Sequence, residues 1–81
     1  MTKAAIFINV KKNLGKRHTS TIDVQYDSDM AEIKIEEIGE AISSLNKSAD
    51  VTVSYSVFNE ISGTWMELMA YYANEKRIVK F

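Results

Sequence analysis

Gly63-Thr64-Trp65-Met66-Glu67-Leu68-Met69-Ala70-Tyr71-Tyr72-Ala73-Asn74-Glu75-Lys76-Arg77-Ile78-Val79-Lys80-Phe81 is the stretch on which the fold turns. It supports two readings. Thr64 followed by Glu67 has the form of a capping box, and Trp65, Leu68, Met69 and Tyr72 have helical spacing. A helix there leaves almost no connection before the strand-like run 77–81, and no glycine caps it. In the other reading Gly63 closes a hairpin, 64–72 is a strand, and Ala73-Asn74-Glu75-Lys76 turns into a final strand. We favour this meander.

Upstream, 51–58 alternates cleanly. Val51, Val53, Tyr55 and Val57 lie on one face, with Thr52, Ser54, Ser56 and Phe58 on the other, and Asn59-Glu60-Ile61-Ser62-Gly63 has turn chemistry. Before it runs a helix. Asp29 with Glu32 resembles a capping box, and Ala31, Ile35, Ile38, Ile42 and Leu45 fall on one stripe opposite Glu36, Glu40 and Lys47. Ile33 falls on the charged side. Either it is an exposed contact on a long helix, which is the preferred reading, or the helix starts near Glu36. Residues 3–10 have the apolar, β-favouring content of an inner strand, and 19–26 alternates as a half-buried one. Between them Lys11-Lys12-Asn13-Leu14-Gly15-Lys16-Arg17-His18 reads as a hairpin loop. The expectation is a single α+β domain, 1–81. Its mainly antiparallel single-layer sheet, with one helix packed across it, has the order ββαβββ, with ββαβαβ as the alternative.

The chain of 81 residues has neither cysteine nor proline, so disulfides, thiolate zinc sites and a cysteine nucleophile are excluded. Hydrophobic residues at 46% and charged residues at 26% are globular composition. The run before Ile8 is too short for the apolar part of a signal peptide, and no stretch of 18 apolar residues occurs. A cytoplasmic protein without membrane contact is therefore expected. The net charge of -1 conceals blocks: +4 over residues 1–26, -6 over 27–60 and +1 over the remainder.

Catalytic chemistry finds little material. His18 is the one histidine; it could act with Ser20, but two residues apart on a strand they merely share a face, and no carboxylate orienter is evident. Glu32, Glu36 and Glu40 repeat at four-residue spacing, yet they lie on the polar side of the helix, where no cage for a cation is expected. Asp27-Ser28-Asp29 begins like a calcium loop but lacks the next acid and the glycine, and Gly15, Gly39 and Gly63 are too scattered to cradle a phosphate. No catalytic residue, metal or cofactor is assigned.

Recognition is better supplied. A lone helix covers one sheet face, so the large apolar residues on both sides of strand 64–72 leave a surplus. The expected partner surface is Trp65, Met66, Met69 and Tyr71, with Ile33 and the acidic helix residues Glu32, Glu36, Glu37 and Glu40 as a second contact. A protein partner, or a homodimer packed face to face, would cover it. The alternative is a nucleic acid bound by Lys11, Lys12, Lys16, Arg17 and His18 of the basic loop. The general profile of a short, cysteine-free chain, acidic in one block and without a catalytic constellation, resembles many small regulatory or inhibitory proteins, including viral ones that block host enzymes. That resemblance implies a non-enzymatic binding role.

Overall fold

The computed structural model describes residues 3–12, 15–25 and 27–81. Its elements are β1 (Ala4–Lys11), β2 (Arg17–Val24), α1 (Ser28–Leu45), β3 (Asp50–Asn59), β4 (Thr64–Tyr72) and β5 (Arg77–Lys80). The strands form one antiparallel sheet in the order β2-β1-β3-β4-β5, and α1 packs across one face of it. The meander is the correct reading of 64–81. Gly63 closes the β3–β4 hairpin at φ 69°, in the left-handed region that glycine enters without steric cost, and Lys76 takes φ 50° in the β4–β5 turn. Asn13, Leu14 and Tyr26, read above as loop and strand residues, lie outside the described residues.

Several boundaries move. Lys11 belongs to β1, and Arg17 and His18, read as loop, belong to β2. β2 ends at Val24 and is exposed from Arg17 to Asp23 rather than half-buried, because it is the sheet's edge. The helix is capped by Asp27, not Asp29: the Asp27 carboxylate accepts the Met30 N–H at 3.0 Å, and Asp29 occupies the first turn, where its charge suits the helix dipole. The helix is the long one, and Ile33 sits inside it, 54% exposed. At the other end Asn46 closes α1 twice over, its backbone N–H and its side-chain amide both donating to the Ile42 carbonyl at 3.0 Å.

The core lies between α1 and one sheet face. Ala31 and Ile35 are fully buried against Ile6, Val51, Val53, Tyr55 and Tyr71, with Ile38 and Ile42 packed alongside. Leu45, expected on this stripe, is 85% exposed, because the helix ends there, beyond the sheet's apolar surface. Gly39 does the work in its place. A Cβ at Gly39 would stand 2.5 Å from Tyr71 Cδ2 and 2.9 Å from Cε2, so the absent side chain is the space the Tyr71 ring occupies. The helix therefore rests on the sheet through small residues at Ala31 and Gly39, with a tyrosine wedged beneath it.

β4 carries an irregularity that decides its sidedness. Tyr55 pairs with Met69, but the next residue, Ser56, pairs with Glu67, leaving Leu68 as an extra residue whose carbonyl accepts the Phe81 N–H at 2.9 Å. One extra residue inverts the alternation. Met66, opposite Val57, thus shares the helix side with Met69 and Tyr71, while Trp65, opposite Phe58, lies on the open side with Ala70 and Tyr72. Strict alternation would group Trp65 with Met69 and Tyr71, and that grouping is corrected here.

Gly39→Ala gains about 1 kcal/mol of helix propensity yet must displace a packed ring, at about 1–3 kcal/mol. The variant should be less stable by about 1 kcal/mol in urea unfolding. A stabilised protein would mean that the Tyr71 ring moves aside freely.

Candidate functional site

Side chains on the open face of the sheet follow from the register. β1 contributes Ala5, Phe7, Asn9 and Lys11; β2 contributes Arg17, Thr19, Thr21 and Asp23; β3 contributes Thr52, Ser54, Ser56 and Phe58. No helix lies over them. Even so, Ala5, Ala70, Ser54 and Ser56 are buried, because larger neighbours close over them. Phe7, Phe58 and Trp65 are those neighbours. Trp65 stands edge-on to Phe7, with ring centroids 5.5 Å apart and planes at 85°, and to Phe58 at 5.3 Å and 64°. Trp65 remains 40% exposed while making both contacts. Lys3 Nζ lies 6.0 Å from the Phe58 ring centre, and the Arg77 guanidinium lies 5.8 Å from that of Tyr72. The result is an aromatic centre with cations at its margin.

The residues expected to form one partner surface are divided by the sheet. Trp65 is on the open face; Met66, 47% exposed, is on the helix side near the β3–β4 turn. Met69 and Tyr71 are buried in the core beneath α1 and belong to no surface. Phe7 and Phe58 are the members that sequence reading missed. Phe58 alternates onto the face opposite Val57, a usable signal, but Phe7 sits in an apolar run with no sidedness to read.

The acidic helix surface is likewise partly occupied. Glu32 pairs with Lys80 of β5 at 3.1 Å, tying the edge strand to the helix, and Lys34 pairs with Glu37 at 3.7 Å. Glu40, expected in water, is half-buried and accepts a hydrogen bond from the Tyr71 hydroxyl. Glu36 and Glu37 are exposed, with Ile33 beside them on the outer side of α1. Burial foremost, then the hydrogen bond to Glu40 and the charges of Glu40 and Glu36, push the Tyr71 hydroxyl up to about 12. Burial, aided by the Asp27 charge, also raises Tyr55.

Lys11, Lys12, Lys16, Arg17 and His18 are all exposed around the β1–β2 turn, where Gly15 takes φ 81°. Lys11 and Arg17 are paired across the strands on the open face; His18 and Ser20 lie on the helix side of β2 in water. Among the described residues no carboxylate forms an ion pair with His18, and no group of three or more His, Asp or Glu side chains is placed to hold a metal ion. Nor is any helix among them long and apolar enough to cross a membrane. Comparison with protein-family models, with curated proteins and with solved structures finds no match.

The Tyr71–Glu40 bond gives a pH signature. A tyrosine whose folded-state value lies above its ordinary 10.0 stabilises the fold fully below pH 10, and that stabilisation is lost as pH rises towards 12. Tyrosinate absorbance should show the Tyr71 ionisation near pH 12 and lose it with Tyr71→Phe, the raised Tyr55 ionisation remaining, and the variant should lose less stability over that window. An ordinary ionisation at Tyr71 would show its hydroxyl open to water.

Proposed function

We propose that this chain is a small non-enzymatic protein-binding module, a regulator or inhibitor that docks its partner on the open face of the sheet with Trp65 at the centre. The observation that carries the reading is the Phe7–Phe58–Trp65 cluster, which lies on a face that no other element covers among the described residues and keeps Trp65 40% exposed. Aromatic residues are enriched at the buried centre of interfaces, where a rigid ring removes much apolar area from water at little entropic cost. The helix acids lie on the opposite side of the sheet, so a partner seated flat on Trp65 does not reach Glu36 or Glu37. The docking surface is accordingly Trp65, Phe7 and Phe58, with Met66 and the helix side left for a partner that wraps the β3–β4 turn.

A second reading has one observation in its favour. Lys11 and Arg17 face the same side as the aromatic cluster, so cations and stacking rings share a surface although they are far apart in sequence. They occupy opposite ends of it: four residues of strand, about 13 Å, separate Phe7 from Lys11. A single-stranded nucleic acid lying along β1 would meet phosphate-binding charges at one end and stacking rings at the other.

Affinity capture with wild-type protein and with Trp65→Ala, each checked for folding by circular dichroism, separates the two. An apolar anchor predicts a partner retained at high salt and lost with Trp65→Ala; an equal yield from that variant would exclude this surface. Joint neutralisation of Lys11, Lys12, Lys16 and Arg17 should leave that partner bound. If it instead abolishes a salt-sensitive affinity for single-stranded oligonucleotides, the nucleic-acid reading holds.

A further inference from the structure

The two free edges of the sheet are built differently. β5 is four residues long and carries Arg77 and Lys80, the short and charged form that discourages pairing with another chain. β2 is eight residues long and pairs with β1 without interruption from Lys11↔Arg17 to Ala4↔Val24. It has no bulge and no proline, and its central residues, Thr19 to Ile22, are all uncharged. Helix α1 packs chiefly on β3 and β4; of β2 only Val24 joins the core, and Ile22 is 45% exposed on the helix side. The outer backbone N–H and C=O groups of β2 therefore face water along a straight, neutral strand, a ready template for a further strand.

We propose that β2 pairs antiparallel with β2 of a second copy of this chain, about a two-fold axis between Ser20 and its own copy, joining the sheets into one of ten strands. The axis follows from geometry. Directly opposed residues in a continuous sheet point to the same face, so a two-fold axis perpendicular to it must run midway between a residue and its own copy, level with that residue and not between two successive ones. Centred on Ser20, the register sets Arg17 opposite Asp23 of the second copy, twice over, on the open face, with Thr19 opposite Thr21 between them. On the helix side it sets His18 against the exposed Ile22. Centring on Thr21 opposes Arg17 to Gln25 and Asp23 to Thr19; centring on Thr19 opposes Asp23 to Gly15. Only the Ser20 register matches the charges directly. Arg17 and Asp23 are exposed, and among the described residues neither has an ionic partner within its own chain. Opposite charges facing one another across strands stabilise the pairing and like charges oppose it, so these two residues select both the occupant and its register.

Sedimentation equilibrium of the purified chain should show a reversible dimer. Arg17→Asp or Asp23→Arg, which set like charges face to face, should each raise the dimer dissociation constant by at least about tenfold. The Arg17→Asp/Asp23→Arg double variant, which restores opposite charges, should return it to near the wild-type value. Circular dichroism checks that each variant is folded, and amide exchange should show protection of β2 gained only at dimer-forming concentrations. A wild-type monomer at all concentrations overturns the proposal, as does a dimer indifferent to the single substitutions or not rescued by the double. A dimer that ignores these charges but dissociates with Trp65→Ala packs through the open face, and it too overturns the edge pairing.

Discussion

One helix cannot cover a five-stranded sheet, and most features of this protein follow from that mismatch. Strands about 4.8 Å apart place the outer two roughly 19 Å from one another, whereas a helix with its side chains is about 10–12 Å across. α1 spans about two strands' width, and it stands over β3 and β4. Where it stands, the core is dense: Ile35, Val51 and Val53 are completely enclosed, and Tyr71 fills the space left by Gly39. Away from it, β2 is exposed from Arg17 to Asp23, and among the described residues no second layer lies on the opposite face.

The uncovered face is closed by its own side chains. Small residues occupy its centre, Ala5, Ser54, Ser56 and Ala70, and the rings of Phe7, Phe58 and Trp65 fold over them. This arrangement shields the middle of the sheet without another element, which matters in a chain too short for a thick core. Among the described residues no buried side-chain nitrogen or oxygen lacks a hydrogen-bond partner, so the two buried serines do not weaken it. The same rings that shield the sheet leave Trp65 partly in water, so the residues that close this face are also the ones the docking proposal relies on.

Much of the architecture is legible from local patterns. The strict alternation of β3, the turn residues around Gly63 and the four-and-three spacing of α1 each report a structure set by neighbouring residues, and the element order follows from them. The helix start is off by two residues because Asp27 and Asp29 are both competent cap residues, and it is Asp27 whose carboxylate accepts the Met30 N–H. The candidate surface is legible only in part. Trp65 belongs to it, but Met69 and Tyr71 do not, because the extra residue at Leu68 inverts the alternation that placed them together. Nothing in the spacing of 64–72 announces that bulge.

Hydrophobic period, caps and turn chemistry are properties of a few adjacent residues, and they were enough to favour one helix and five strands in the chain order ββαβββ, while the order of the strands across the sheet came only from the structure. Which side of the sheet each large residue faces, and which acids are left to solvent, required contacts between distant segments. Glu40 looks like a solvated helix acid until Tyr71, 31 residues away, is brought beneath it; Phe7 and Trp65 become neighbours only when β3 lies between their strands. Sidedness is a relation between elements, and it comes into being only when they pack.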